Sequence, residues 1–137
     1  MDTRESLKQQ PRALAGSFAY DGLDRAIHER ARLGIMTSLV THPDGLLFGD
    51  LKEMCALTDG NLNRHLKVLR EGGLVDVTRQ GRGKGSQTIC RVTSKGRTQF
   101  VEYLRELENV IRDAAEATAA VSHETLPRSA IGGVSPA

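Results

Sequence analysis

Leu57-Thr58-Asp59-Gly60-Asn61-Leu62-Asn63-Arg64-His65-Leu66-Lys67-Val68-Leu69-Arg70-Glu71-Gly72-Gly73 is the stretch that decides the fold. At about 100° per residue, Leu62, Leu66 and Leu69 gather on one side of a helix, with His65 at the margin. Gly60, Arg64, Lys67 and Glu71 fall on the opposite side, flanked by Asn61 and Val68. The spacing predicts a helix over about Asp59 to Glu71, with Thr58 as its cap and Gly72-Gly73 as its stop. The leucines anchor such a helix in a core. The other face then points outward with amide and guanidinium groups, which can bond base edges and phosphates.

The segments on either side fit that reading. Upstream, a short helix over about Gly49 to Ala56 carries Leu51, Met54 and Cys55 on its inner side. Leu46-Leu47-Phe48 before it reads either as a very short strand or as the start of that helix. Only Leu57 to Gly60 separate the two helices, which suits a helix-turn-helix. Downstream, Leu74 to Arg79 and Ser86 to Thr93 have strand character around Gln80-Gly81-Arg82-Gly83-Lys84-Gly85. A hairpin placed there is a wing, able to reach backbone or minor groove through Arg82 or Lys84.

Charge is distributed to match. The chain carries 19 Lys and Arg against 17 Asp and Glu, a net +2 over 137 residues. Residues 64 to 97 hold nine of the bases and two of the acids, so this segment is +7 and the remainder −5. A basic third in a small protein is a candidate nucleic-acid face, or simply a solvated surface. With 4% aromatic residues, stacking of single-stranded nucleic acid is disfavoured.

A first helix is expected from about Asp24, as N-cap, to Thr41, ended by His42-Pro43-Asp44-Gly45. Ile27, Ala31, Ile35, Ser38 and Leu39 form one stripe, and Leu33, Met36 and Val40 a second; Gly34 costs about 1 kcal/mol relative to Ala. Thr93 can cap a last helix running from Ser94 to about Ala119. Phe100, Tyr103, Leu104, Leu107, Val110, Ile111, Ala114 and Thr118 recur along it at helical spacing. About 26 residues span roughly 39 Å, more than a small domain covers. The second stripe of the first helix needs either another part of the chain or another subunit, and the last helix either a partner or solvent, with fraying after Ile111; a second subunit is expected against Leu33, Met36, Val40, Phe100, Tyr103, Leu104, Leu107, Val110, Ile111 and Ala114.

The fold expected is α+β: a winged helix-turn-helix with long N- and C-terminal helices forming a dimer interface. Its DNA-binding and dimerisation domain covers residues 21–120. Residues 1–20 read as a flexible arm, with a helical turn near Ala13 to Phe18, and residues 121–137 as a disordered tail. No run of 18 uncharged apolar residues exists and the N-terminus lacks a signal-peptide core, which points to the cytoplasm and away from membranes.

Enzymatic chemistry finds little support. His28 with Glu29 and His42 with Asp44 are local pairs without a convergent third group. The hairpin glycines lack the spacing of a phosphate loop. Cys55 and Cys90 read as core filler, with a redox switch as the alternative; no metal site and no cofactor are expected.

Leu23-Asp24-Arg25-Ala26-Ile27-His28, the motif from Leu57 to Leu66, Leu69-Arg70-Glu71-Gly72-Gly73-Leu74-Val75 and Thr93-Ser94-Lys95-Gly96-Arg97 together resemble winged-helix regulators related to the MarR and ArsR families. The resemblance is strongest to the group with a stand-alone winged-helix domain, and covers about residues 21 to 107. It implies a homodimeric transcription regulator that binds an imperfect palindrome in duplex DNA, with terminal helices at the dimer interface. Recognition-helix residues of such proteins match Asn61, Asn63, Arg64 and His65 here, and wing residues match Arg82 and Lys84. Two departures stand out. Gly49 is a weak start for the second helix, and Cys55 alone replaces the paired cysteines of metal-sensing ArsR relatives, too few for a closed site.

Individual roles follow from chemistry. Arg64 can fork onto guanine O6 and N7 or clamp a phosphate, or else form a surface ion pair. Asn61 can pair with adenine or bond the backbone of its turn. Asn63 sits sideways; Lys67, Arg79, Arg82 and Lys84 suit phosphates. His65 is either a buried, hydrogen-bonded side chain or a DNA contact. The competing function is a protein-interaction winged helix without specific DNA binding. An unidentified small-molecule effector, seated between first and last helices at the dimer interface, is a further expected partner.

Overall fold

Two threonines and a glutamate decide where the helices of this chain begin. The computed structural model describes residues 15–122, with side chains described through residue 119. Most of the expected arm and tail lie outside the described residues; of the turn expected near Ala13 to Phe18, residues 15–18 form a turn and the rest lies outside. The described chain divides into two compact units, residues 21–105 and residues 15–20 with 106–122.

The elements run α1 (Arg30–Val40), β1 (Leu46–Leu47), α2 (Phe48–Met54), α3 (Asp59–Glu71), β2 (Val75–Gln80), β3 (Gln87–Val92) and α4 (Ser94–Ser122). This is the α+β winged helix expected from the sequence. The sheet is antiparallel in the order β1-β3-β2. Leu46 stands opposite Cys90, and the hairpin pairs Val75 with Val92 through to Gln80 with Gln87. Leu46-Leu47 is thus a strand, and the next helix starts at Phe48.

The first helix starts six residues later than its periodicity suggested. Asp24 does cap, but only one turn: its Oδ1 accepts from the Ala26 amide at 2.7 Å, and its carbonyl from His28 at 2.7 Å. A continuous helix would need the Ala26 carbonyl for the backbone of Arg30. Instead the Arg32 side chain takes it, Nε to O at 2.6 Å. Glu29 is extended (φ −150°, ψ 135°), and its carboxylate accepts from the Ala31 and Arg32 amides, restarting the helix as N-cap.

The core of residues 21–105 sits where the two helix faces meet the sheet. Ile27, Ile35, Met36, Leu39, Leu51, Leu62, Leu69 and Cys90 are fully buried, and Leu66, Leu74, Val75, Phe100 and Tyr103 nearly so. Three residues expected at a subunit interface therefore belong to the protomer's own core: Met36 is 0% exposed, Phe100 3% and Tyr103 1%. Tyr103 also shares a 2.8 Å hydrogen bond with His28 Nδ1. Of the second apolar stripe of α1, Met36 thus belongs to the core of its own protomer. Leu33 and Val40 are half-buried, whereas Leu104 and Ile111 are 38% and 59% exposed.

Met54, expected inside, is 53% exposed. It is the last residue of α2, and beyond it Ala56 adopts a left-handed conformation, φ +53°. That reversal closes the turn, with Leu57 N donating to the Lys52 carbonyl at 3.0 Å.

Thr93 joins hairpin to last helix. Its hydroxyl donates to the Gly73 carbonyl at 2.6 Å and accepts from the Gly96 amide at 2.9 Å. A Cβ at Gly96 would collide with the Leu74 carbonyl oxygen, so only glycine lets α4 approach the root of the wing this closely.

Candidate nucleic-acid interface

The recognition helix, α3, has the limits its sequence announced. Thr58 Oγ1 accepts from the Asn61 amide at 3.2 Å, satisfying one of the orphan donors of the first turn. Lys52 on α2 pairs with Asp59 at 2.9 Å and ties the start of α3 to the preceding helix. Both partners are partly exposed, so this pair contributes at most about 1 kcal/mol. Orientation comes from the three inward leucines instead, each worth about 1.5–3 kcal/mol when fully buried.

Asn61, Asn63, Arg64 and Lys67 are all exposed, with Arg64 and Lys67 opposite those leucines and the two asparagines at the flanks. Arg64 Nη2 donates to Asn61 Oδ1 at 3.2 Å, which links guanidinium and carboxamide on the surface of the helix. Val68, 36% exposed, gives the same face an apolar element suited to a thymine methyl. At the C-terminal end, Lys67 and Arg70 share a groove of about 380 Å³ with Glu71, Val75 and Asp76.

His65 does not lie with these residues. It is 9% exposed and faces inward, its Nδ1 3.3 Å from Arg32 Nη1 and 3.5 Å from Glu29 Oε2. Of its two expected roles, the geometry matches the buried one. Burial by itself would raise the Glu29 carboxyl. The Ala31 and Arg32 amides, with His65 and Arg32 beside it, outweigh that and hold it below its ordinary value. Sequence reasoning missed Arg32 and Glu29. The one available signal was a histidine on the edge of a leucine face, which needs a polar partner from another element.

The wing carries Arg82 and Lys84 fully outward on a tip closed by a single 3-10 turn, Gly83–Gly85. Gly81 has φ +91°, and a Cβ there would press on the Gly85 carbonyl. Arg79 is exposed but engaged within the hairpin, donating to Ser86 Oγ at 2.6 Å. The two outward bases thus project from a framed loop.

Among the described residues no cluster of three or more His, Cys, Asp or Glu is arranged to hold a metal. Both cysteines are free thiols. Burial pushes the Cys90 thiol up to about 11, against a smaller opposing effect of Arg70. Cys55 is half-buried, its Sγ 3.7 Å from Ser38 Oγ. It lines an open groove of about 840 Å³ between α1 and the turn following α2, with Gly34, Thr37, Thr41, His42 and Met54. No described helix is long and apolar enough to cross a membrane.

Comparison with known proteins agrees with this architecture. The uncharacterized protein MJ0432 of Methanocaldococcus jannaschii is 48% identical over 60 residues, 44% of this chain. The chain covers 65% of that relative's length, just under two thirds. Among solved structures, a transcriptional regulator homologue from Pyrococcus horikoshii superposes with a TM-score of 0.61 at 23% identity, over 78% of this chain and 97% of its own. NadR in complex with 4-hydroxyphenylacetate gives 0.55 at 20% identity, over 86% and 82%. A Mycobacterium tuberculosis regulator, MosR, in complex with DNA gives 0.51 at 20% identity, over 87% and 82%. At these identities the structures share the fold with this chain. A family model described as a winged helix DNA-binding domain matches residues 31–111, from within α1 through the helix-turn-helix and hairpin into α4. With more than half of its sequence matched there, the chain belongs to the winged helix DNA-binding domain family.

Proposed function

We propose that this protein is a transcriptional regulator that binds specific sites in double-stranded DNA as a homodimer. The observation that carries this reading is the division of α3. Leu62, Leu66 and Leu69 are buried while Asn61, Asn63, Arg64 and Lys67 stand exposed, as do Arg82 and Lys84 on the wing. In this reading α3 enters the major groove. Arg64 and Asn61 meet base edges, and Asn63 and Lys67 meet the flanking strand. Arg82 and Lys84 reach the backbone or minor groove next to it, and Arg79 holds the hairpin in shape while adding charge.

The dimer is proposed through α4. Leu104, Leu107, Ile111, Ala114 and Thr118 follow a three-four spacing, the seam of a two-helix coil. Leu104 and Ile111 are substantially exposed in the protomer. Val110, Leu33 and Val40, each half-buried, are secondary candidates for the interface. Two recognition helices would then read half-sites about 34–36 Å apart or a multiple of it. In this reading the protein works in the cytoplasm and catalyses no reaction. An effector, by analogy with the ligand-bound NadR, would suit the groove between α1 and the turn after α2, whose volume falls in the usual range for small molecules.

Selection of bound duplexes from a random pool, followed by titration against added salt, tests the proposal. Enrichment of an inverted repeat and a steep fall of affinity with salt are expected. A purified protein that ignores duplex DNA at low ionic strength would overturn it.

A further inference from the structure

The outward face of α3 is only as useful as its rotation about the helix axis. A group about 6 Å from that axis moves about 2 Å when the helix turns by 20°, beyond the tolerance of a hydrogen bond to a base edge. The three leucines decide which face of α3 turns inward, but their packing is non-directional and does not by itself fix the last few degrees of rotation. Among the described residues one directional contact holds the inner side of α3 to the segment around α1, and His65 makes it.

Arg32 is the centre of that contact. Its Nε donates to the Ala26 carbonyl at 2.6 Å, and its Nη1 lies 3.3 Å from His65 Nδ1 and 3.8 Å from Glu29 Oε2. Glu29 is itself fixed as N-cap of α1 by the Ala31 and Arg32 amides, both at 3.1 Å. The guanidinium has no lone pair to offer. Its bond to the ring therefore requires a neutral His65 whose proton is on Nε2. Adding a proton at Nδ1 removes that acceptor and places a second cation beside Arg32. The ring then has Glu29 Oε2, 3.5 Å away, as its remaining partner.

Resting on the DNA-binding reading above, we propose that Arg32 is a positioning residue for DNA recognition. It holds neutral His65 and so sets the rotation of α3, and Glu29 captures the ring when His65 is protonated. The charged groups facing the ring are Arg32 and Glu29. On β2, the sheet strand packed against α3, Asp76 lies beside Lys67 and Arg70 instead. DNA affinity is therefore expected to follow the protonation of one histidine that never touches DNA.

Fluorescence anisotropy with the selected duplex and a random duplex, at constant ionic strength between pH 8 and pH 5.5, tests this. Specific affinity of the native protein should fall by about tenfold across this interval, a loss typical of site-to-site coupling, while random-duplex affinity changes little. His65→Asn can still accept from Arg32 but does not titrate. It should bind as the native protein does at pH 8 and keep that affinity at pH 5.5. Arg32→Ala should lose specific affinity at all pH values, and Arg32→Lys should recover part of it. In NMR titrations of the native protein, the Asn61 to Lys67 amides should shift with the His65 ring and become stationary in His65→Asn. An unchanged pH profile in His65→Asn overturns the proposal, as do stationary amides in the native protein. Arg64-dependent binding that ignores both pH and Arg32→Ala sinks this inference alone. Absence of duplex binding at every pH sinks the DNA reading and this inference together.

Discussion

Arg64 Nη2 and Asn61 Oδ1 are joined by a 3.2 Å hydrogen bond across one turn of the recognition helix. The bond uses one of the five guanidinium donors and leaves the fork free, while it restrains a side chain that would otherwise sample many rotamers. Arg64→Ala should weaken binding to the selected duplex by about 1–3 kcal/mol, with melting temperature unchanged because the side chain is exposed. Asn61→Ala should cost less, and the double variant less than the sum, since the two act as one unit. Titrations of the four proteins on one duplex check this, and strictly additive losses would contradict it.

Ala56 supplies a second test, on stability. Its φ of +53° is unfavourable for an L-residue with a side chain. Ala56→Gly removes that strain at some entropic cost in the unfolded chain. A gain of about 0.5–1 kcal/mol is expected, read as a rise in the urea midpoint at constant slope. A lower midpoint would show that the turn after α2 tolerates alanine without strain.

Glu29 gives a pH dependence with a definite sign. Its folded carboxyl lies below its ordinary value near 4.5, so its contribution is present above that value. The contribution is lost as pH falls through the folded pKa. Glu29→Gln keeps an acceptor for the Ala31 and Arg32 amides but has no charge to titrate. The difference in melting temperature between native and variant proteins should therefore shrink from pH 7 to pH 3. A constant difference would mean that the Glu29 charge contributes nothing.

The thiols should separate by reactivity. Cys90 is 0% exposed, and its pKa of about 11 leaves almost no thiolate at pH 8. A disulfide reagent at that pH should modify Cys55 first and Cys90 only on unfolding. Simultaneous reaction of both in the folded protein would refute the assignment of Cys90 as inert core. Cys55→Ser should abolish the fast phase.

Much of this fold was legible because its signals were local. Thr58 and Gly72-Gly73 bracket α3, and the observed Asp59–Glu71 agrees with the expected span at both ends. Thr93 likewise announced the start of α4 at Ser94. Errors arose where a side chain from a distance overrode local periodicity. Asp24 has the chemistry of a helix cap and caps one turn, yet Arg32 reaches back to Ala26 and breaks the run. Nothing in the spacing of residues 24 to 41 encodes that reach. Helical spacing also could not separate core from partner-facing residues along α4. Phe100 and Tyr103 share its apolar pattern with Leu104 and Ile111, and only tertiary packing distinguishes them. The exposed polar face of α3 was legible for the opposite reason, since three leucines on a thirteen-residue helix leave one orientation available.

The threonine bridge at position 93 makes the hairpin a cantilever. Its clamped end is bolted to Gly73 and to the first turn of α4, while the loaded end, with Arg82 and Lys84, overhangs into solvent. Insertions or deletions at the overhanging end would leave the clamp untouched. Reach and charge of this arm can thus change while the root of the hairpin keeps its place on α4.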